Sequence, residues 1–226
     1  MEVSIKYRPS YSLALAKLTP NESIDVEAGA LVGMTQGIEL QTKARGGVLK
    51  SLARSMLGGE SFFVNTYQAS EQGGEIMLAP ELPGDMIVRQ MKGETLLVQS
   101  GSYVASSEGI DVSTKWGGPK TFFAREGITM LKVSGTGKLV LSSYGAIHES
   151  VLAAGMTYTV DTGHLVAFDE DLGFKVRAVG GLKSTLFSGE GLVVDLTGPG
   201  EFLLQTRSED AFLSWLIPKL PDRSEH

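Results

Sequence analysis

Few residues in this chain could do acid–base or metal chemistry, and they are scattered. Histidine occurs at His148, His164 and His226, and cysteine is absent. A histidine metal site in a β-barrel needs two or three His and a carboxylate converging on one ion. No His-x-His pair exists, and His226 is the terminal residue. His164 occupies the slot held by Ala30 and Ser102 in two related stretches, which suits a surface position better than a ligand. Without Cys there are no disulfides, thiolate metal sites or Cys nucleophiles. The sequence has no Gly-x-Ser-x-Gly elbow to present a serine nucleophile. Gly135-Thr136-Gly137-Lys138 is followed by Leu139, and Gly117-Gly118-Pro119-Lys120-Thr121 has Pro before Lys, so neither is a phosphate loop opening a helix. Both read as turns. No catalytic set, cofactor or metal is expected, and the chain does not read as an enzyme.

The sharpest positive feature is basic. Lys43, Arg45, Lys50 and Arg54 fall within twelve residues that hold no acid. Val48, Leu49, Leu52, Ala53, Met56 and Leu57 share that stretch at helical spacing, predicting a short amphipathic helix over about 47–57. Such a helix could touch an anionic lipid surface or an RNA backbone. It could equally cap the core with its cations in solvent, which its shortness favours. A second helix is expected over about 209–217. Ser208 is its N-cap, Glu209 and Asp210 fill its first turn, and Pro218 ends it. Its Phe212, Trp215 and Leu216 form a candidate partner surface, or else dock on the protein's own sheets.

The elements carrying these residues are strands. Val, two residues, Gly, one residue, a large residue, Val recurs as Val26/Gly29/Leu31/Val32, Val98/Gly101/Tyr103/Val104 and Val160/Gly163/Leu165/Val166. Each copy alternates apolar and polar residues about its Gly, as strand–turn–strand units do. After each comes an acid–Gly pair and two apolar runs. Ser134–Gly137 and Thr197–Gly200 separate two of those pairs of runs, predicting hairpins. The chain therefore divides into β segments at 1–80, 81–145 and 146–226, packed as one body in a pseudo-threefold arrangement. The fold class is all-β: three tandem repeats of a short double-stranded β-helix or β-sandwich unit, with two short helices.

Composition agrees. The chain of 226 residues has 42% hydrophobic and 20% charged residues, the balance of a folded protein. Its 28 glycines sit singly or in pairs between apolar runs, marking tight turns. A net charge of −6 argues against a nucleic-acid partner. The N-terminus has no apolar signal region, and no run approaches a membrane span. A cytoplasmic location is expected.

The ordered series of the triple Val-x-x-Gly pattern, GGVLKSLARSMLGGESFFVN, DTGHLVAFD, GEGLVVDLTGPGEFLLQTR and the Trp-containing C-terminus resembles the mitochondrial-biogenesis ("altered inheritance of mitochondria") family from about Tyr11 to about Leu220. The resemblance implies a short double-stranded β-helix similar to the tryptophan RNA-binding attenuation protein, present three times. It brings no catalytic residues. Fungal members are linked to mitochondrial organisation, a role this chain is not expected to share because it shows no targeting region.

These readings lead to a non-enzymatic scaffold or binding protein that forms a homo-oligomer, with another protein as a further partner. One alternative is a small-molecule or carbohydrate-binding β-barrel. A second is RNA binding through the basic segment, and peripheral membrane contact would rest on that same segment.

Overall fold

The structure, a computed structural model, describes residues 1–41, 55–57, 60–113, 129–179 and 192–221. The first stretch of chain gives β1 (Glu2–Lys6), β2 (Leu13–Leu18), β3 (Ser23–Glu27), β4 (Leu31–Met34) and β5 (Ile38–Leu40). It continues with β6 (Ser55–Leu57), β7 (Glu60–Phe62), β8 (Val64–Ala69) and β9 (Gly74–Leu78). Next come β10 (Met86–Gln99), β11 (Tyr103–Ser107), β12 (Ile110–Ser113) and β13 (Met130–Ser142). The last stretch holds β14 (Ile147–Leu152), β15 (Thr157–Asp161), β16 (Leu165–Asp169), β17 (Gly173–Ala178), β18 (Leu192–Thr197), β19 (Gly200–Gln205) and helix α1 (Glu209–Leu216). The all-β class is what the alternating pattern specified.

Alternation sets the faces. In β2, Leu-Ala-Leu-Ala-Lys-Leu, Ala14, Ala16 and Leu18 are buried while Lys17 faces solvent. Pairing then follows one scheme. β2 and β4 flank β9, and β3 and β5 flank β8. β14 and β16 flank β19, and β15 and β17 flank β18. Between them, the first half of β10 and β11 flank the second half of β13, while the second half of β10 and β12 flank its first half.

Three apolar clusters fill the space between sheets, and all three cross from one stretch to the next. One joins Ala14, Ile24 and Ile76 to Val104, Ala105 and Val140. Another joins Met91, Val98 and Leu131 to Val166, Ala167 and Leu203. The third holds Val160, Phe168, Val194 and Phe202. Each fully buried large aliphatic contributes roughly 1.5–3 kcal/mol.

Two expected hairpins are not hairpins. Ser134–Gly137 lies inside the continuous β13, where Gly135 and Gly137 take φ of 121° and 153°. Opposite it the register slips between Lys92 and Thr95 of β10, so the glycines bend one strand instead of reversing it. Likewise β18 and β19 belong to different sheets, so Thr197–Gly200 carries the chain round a corner. In both cases each apolar run finds its partner elsewhere in the chain.

The first expected helix also needs correction. Residues 47–54 lie outside the described residues, but Ser55–Leu57 pair antiparallel with Glu60–Phe62. The helical spacing of Met56 and Leu57 is overridden by local strand pairing. Helix α1 follows expectation: the Ser208 hydroxyl accepts from the Ala211 N–H at 3.4 Å, and Pro218 falls in a 3-10 turn that ends the helix.

Candidate functional site

A cavity of about 310 Å³ opens where the three stretches of chain meet, lined by the ends of corresponding strands. Glu27 comes from the first stretch, Glu81, Gln99 and Ser143 from the second, Gln205 and Ser208 from the third. Period-two alternation explains Glu27 and Gln99. Each directly follows the buried Val of the repeated motif, Val26 or Val98, and so points to the other side.

The cavity is acceptor-rich. Burial, reinforced by the nearby Glu81 carboxylate, pushes the Glu27 carboxyl up to about 8. The Gln99 Oε1 is buried and has no hydrogen-bond partner among the described residues. The Gln205 amide is engaged at both ends: its Oε1 accepts from the Tyr144 N–H at 2.9 Å and its Nε2 donates to the Gly163 carbonyl at 2.9 Å. With the Glu27 carboxyl protonated at neutral pH, the Gln99 Oε1 and the Glu81 side chain are the groups left to accept from a ligand that donates hydrogen bonds.

The repeated glycines serve different ends here. Gly29 has φ of 101°, which only glycine adopts readily. A Cβ on Gly163 would meet the Ser208 Oγ at 2.7 Å, so its bareness lets the helix N-cap close over the turn. A Cβ on Gly101 would meet nothing within 4 Å.

His148 and His164 are not among the residues that line the cavity. His164 Nδ1 lies 2.8 Å from the Gln205 carbonyl oxygen. His148 Nε2 lies 3.1 Å from Ser150 Oγ on the exposed face of β14. His226 is outside the described residues, as are Lys43, Arg45, Lys50, Arg54 and Gly117–Thr121. Phe212, Trp215 and Leu216 are described. Phe212 packs edge-on against Tyr144, with ring centroids 6.0 Å apart, and stacks on Trp215 at 6.2 Å. Trp215 is 57% exposed and sits under the Lys219 ammonium, 5.1 Å from its ring centre. Phe212 thus tethers the helix while Leu213, Trp215, Ile217 and Leu220 stay exposed. Sequence reasoning missed Glu27, Glu81 and Gln99. The polar residue after each repeated Val was the signal that could have found two of them.

Among the described residues, no helix is long and apolar enough to cross a membrane. What the fold defines is an antiparallel β protein with a polar cavity where its three stretches meet. By sequence the chain belongs to the family described as mitochondrial biogenesis AIM24, whose model matches residues 3–207. An uncharacterized protein of Streptococcus pyogenes serotype M6 is 26% identical over 236 residues, spanning 99% of this chain and 93% of that one. The crystal structure of a Streptococcus pyogenes protein superposes with a TM-score of 0.80 at 24% identity, covering 97% of this chain and 99% of that one. That likeness shows the fold.

Proposed function

We propose that the chain is a non-enzymatic, self-associating scaffold of the cytoplasm, its three stretches being copies of one unit. The recurrence of the same four strand pairings supports the repeat. The observation that carries self-association is helix α1. None of its residues is buried, and the apolar Leu213, Trp215, Ile217 and Leu220 are each exposed along it and just beyond. Exposed apolar surface of this kind marks interfaces.

Light scattering with native mass spectrometry tests the reading. The wild type should run as a discrete oligomer, and Trp215→Ala with Leu216→Ala should shift it to a smaller species. An unchanged mass with lost stability would assign the helix to the protein's own fold and remove this support.

A second reading is small-molecule binding at the acceptor-lined cavity, favoured by the unpartnered Gln99 Oε1. Thermal stabilisation by a cationic amine, lost in Gln99→Leu, would support it. RNA binding rests on fold likeness and on the basic segment alone, and fold does not fix function.

A further inference from the structure

Two joints inside the chain follow one rule. β11 lies antiparallel on β3, with Ala105 opposite Val26, Ser106 opposite Asp25 and Ser107 opposite Ile24. β16 lies antiparallel on β10, with Ala167 opposite Val98, Phe168 opposite Leu97 and Asp169 opposite Leu96. In each joint a small residue, two positions past the motif's large residue, faces the motif Val of the preceding copy. In each the incoming strand carries a bulge, with its register skipping from Tyr103 to Ala105 and from Leu165 to Ala167. The bulged residues Val104 and Val166 are both 0% exposed.

The third pair of edges is left over. β4 has the same bulge, its register skipping from Leu31 to Gly33, and Gly33 supplies the small residue. Yet β4 ends its sheet, in the order β1-β2-β9-β4, and β15, which carries Val160, ends the order β15-β18-β17. Among the described residues, nothing pairs with either free edge. Exposure follows suit. Val32, the counterpart of Val104 and Val166, is 58% exposed. Tyr158, the counterpart of Ile24 at 0% and Leu96 at 3%, is 51% exposed. β4 also lacks the charged residues and prolines that commonly blunt a free edge.

We propose that β4 of one copy pairs antiparallel with β15 of a second copy, with Gly33 opposite Val160, Met34 opposite Thr159 and Thr35 opposite Tyr158. This rests on the self-association reading but names a different surface from the helix. A second copy is the occupant because the complementary edge, with a motif Val to meet the small residue, is this chain's own. Both edges stand exposed on the same molecule, so they do not meet within one chain. Each copy offers one edge of each kind, so the contact is head-to-tail and builds a ring or a filament, according to the rotation per step.

Val32→Asp and Tyr158→Asp test the pairing; Val32→Asp changes an exposed side chain and should melt within a few degrees of wild type, while Tyr158→Asp also gives up the ring contact with Phe202 at 5.5 Å and should melt somewhat lower yet stay folded. Each variant keeps one working edge and cannot pair with itself. Alone, each should lose the wild-type oligomer and run as a single chain by light scattering. Mixed at equal concentration, they should form a two-chain complex. The chain has no cysteine, so Met34→Cys and Thr159→Cys proteins give an independent readout. Under mild oxidation their mixture should yield a crosslinked pair of one chain each, because opposed antiparallel residues bring Cβ atoms to about 5 Å. Wild-type mass in both Asp variants, or a Cys mixture that forms no mixed crosslink, overturns the pairing. A wild-type oligomer that the Asp variants preserve leaves self-association standing and rejects this edge. A wild type that is a single chain at every concentration rejects both.

Discussion

Asp85 receives both arms of the Arg8 guanidinium, with Nε donating to Oδ1 at 2.7 Å and Nη2 to Oδ2 at 2.8 Å. Asp85 is buried, while the Arg8 side chain is 50% exposed, so the pair ties the first connection of the chain to the interior from the surface side. The Asp85 N–H donates to the Gly145 carbonyl at 2.8 Å, and the Ser143 N–H donates to the Asp85 carbonyl at 3.0 Å. One residue thus ties the start of the first stretch to both the start and the end of the second.

Asp85→Asn should therefore destabilise the protein by about 1–3 kcal/mol, the range for a hydrogen bond to a charged group. Burial alone would raise the Asp85 carboxyl. The hydrogen bonds from Arg8, the Met86 N–H and Ser12, with the charge of Arg8, outweigh it and hold the group below the usual carboxylate range. A lowered folded value contributes stability above the unfolded pKa, and that contribution fades as pH falls through the folded value. Denaturant melts of wild type and Asp85→Asn should differ most at neutral pH and converge below about pH 4. A constant gap down to acid pH would contradict this.

Glu27 has the opposite sign. Its folded value of about 8 stands above the ordinary carboxylate value because burial and Glu81 oppose ionisation. Its stabilising contribution is complete below the unfolded pKa and is lost as pH rises toward 8. Glu27→Gln should be nearly neutral at pH 4 and more stable than wild type at pH 8, by on the order of 1–3 kcal/mol. Equal stability of the two proteins across that window would show that Glu27 ionises freely.

Gly84 and Gly101 give a matched pair. A Cβ on Gly84 would sit 1.7 Å from the Ser143 carbonyl oxygen, whereas one on Gly101 meets nothing within 4 Å. Gly84→Ala should force backbone apart beside the Asp85–Gly145 hydrogen bond and cost about 3 kcal/mol or more. Gly101→Ala should fall within about 0.5 kcal/mol of wild type or slightly above it, since Ala loses less chain entropy on folding. Equal melting temperatures for the two would refute the close contact at Gly84.

Local chemistry was legible where it acts over a few residues. Ser208, the acidic first turn and Pro218 bound helix α1 as their types require. The motif Val residues Val26, Val98 and Val160 lie on buried strand faces because alternation has a period of two. The helix expected over about 47–57 failed at Ser55–Leu57, where spacing suits either period and strand pairing decides. Ser134–Gly137 failed for a related reason. Glycine marks a place where the backbone leaves its ordinary range, but whether the strand bends or reverses depends on where its two arms find partners.

By itself the sequence determined the strand-rich class, the thrice-repeated motif, the C-terminal helix and the family, all of which follow from residue type at short range. Only the tertiary structure decided which edges pair. Val32, Val104 and Val166 occupy the same motif position, yet two are sealed in joints and one is exposed, because burial depends on whether a neighbouring strand arrives. The cavity is of the same kind: Glu27, Glu81 and Gln99 are distant in sequence, and folding brings them to one cavity.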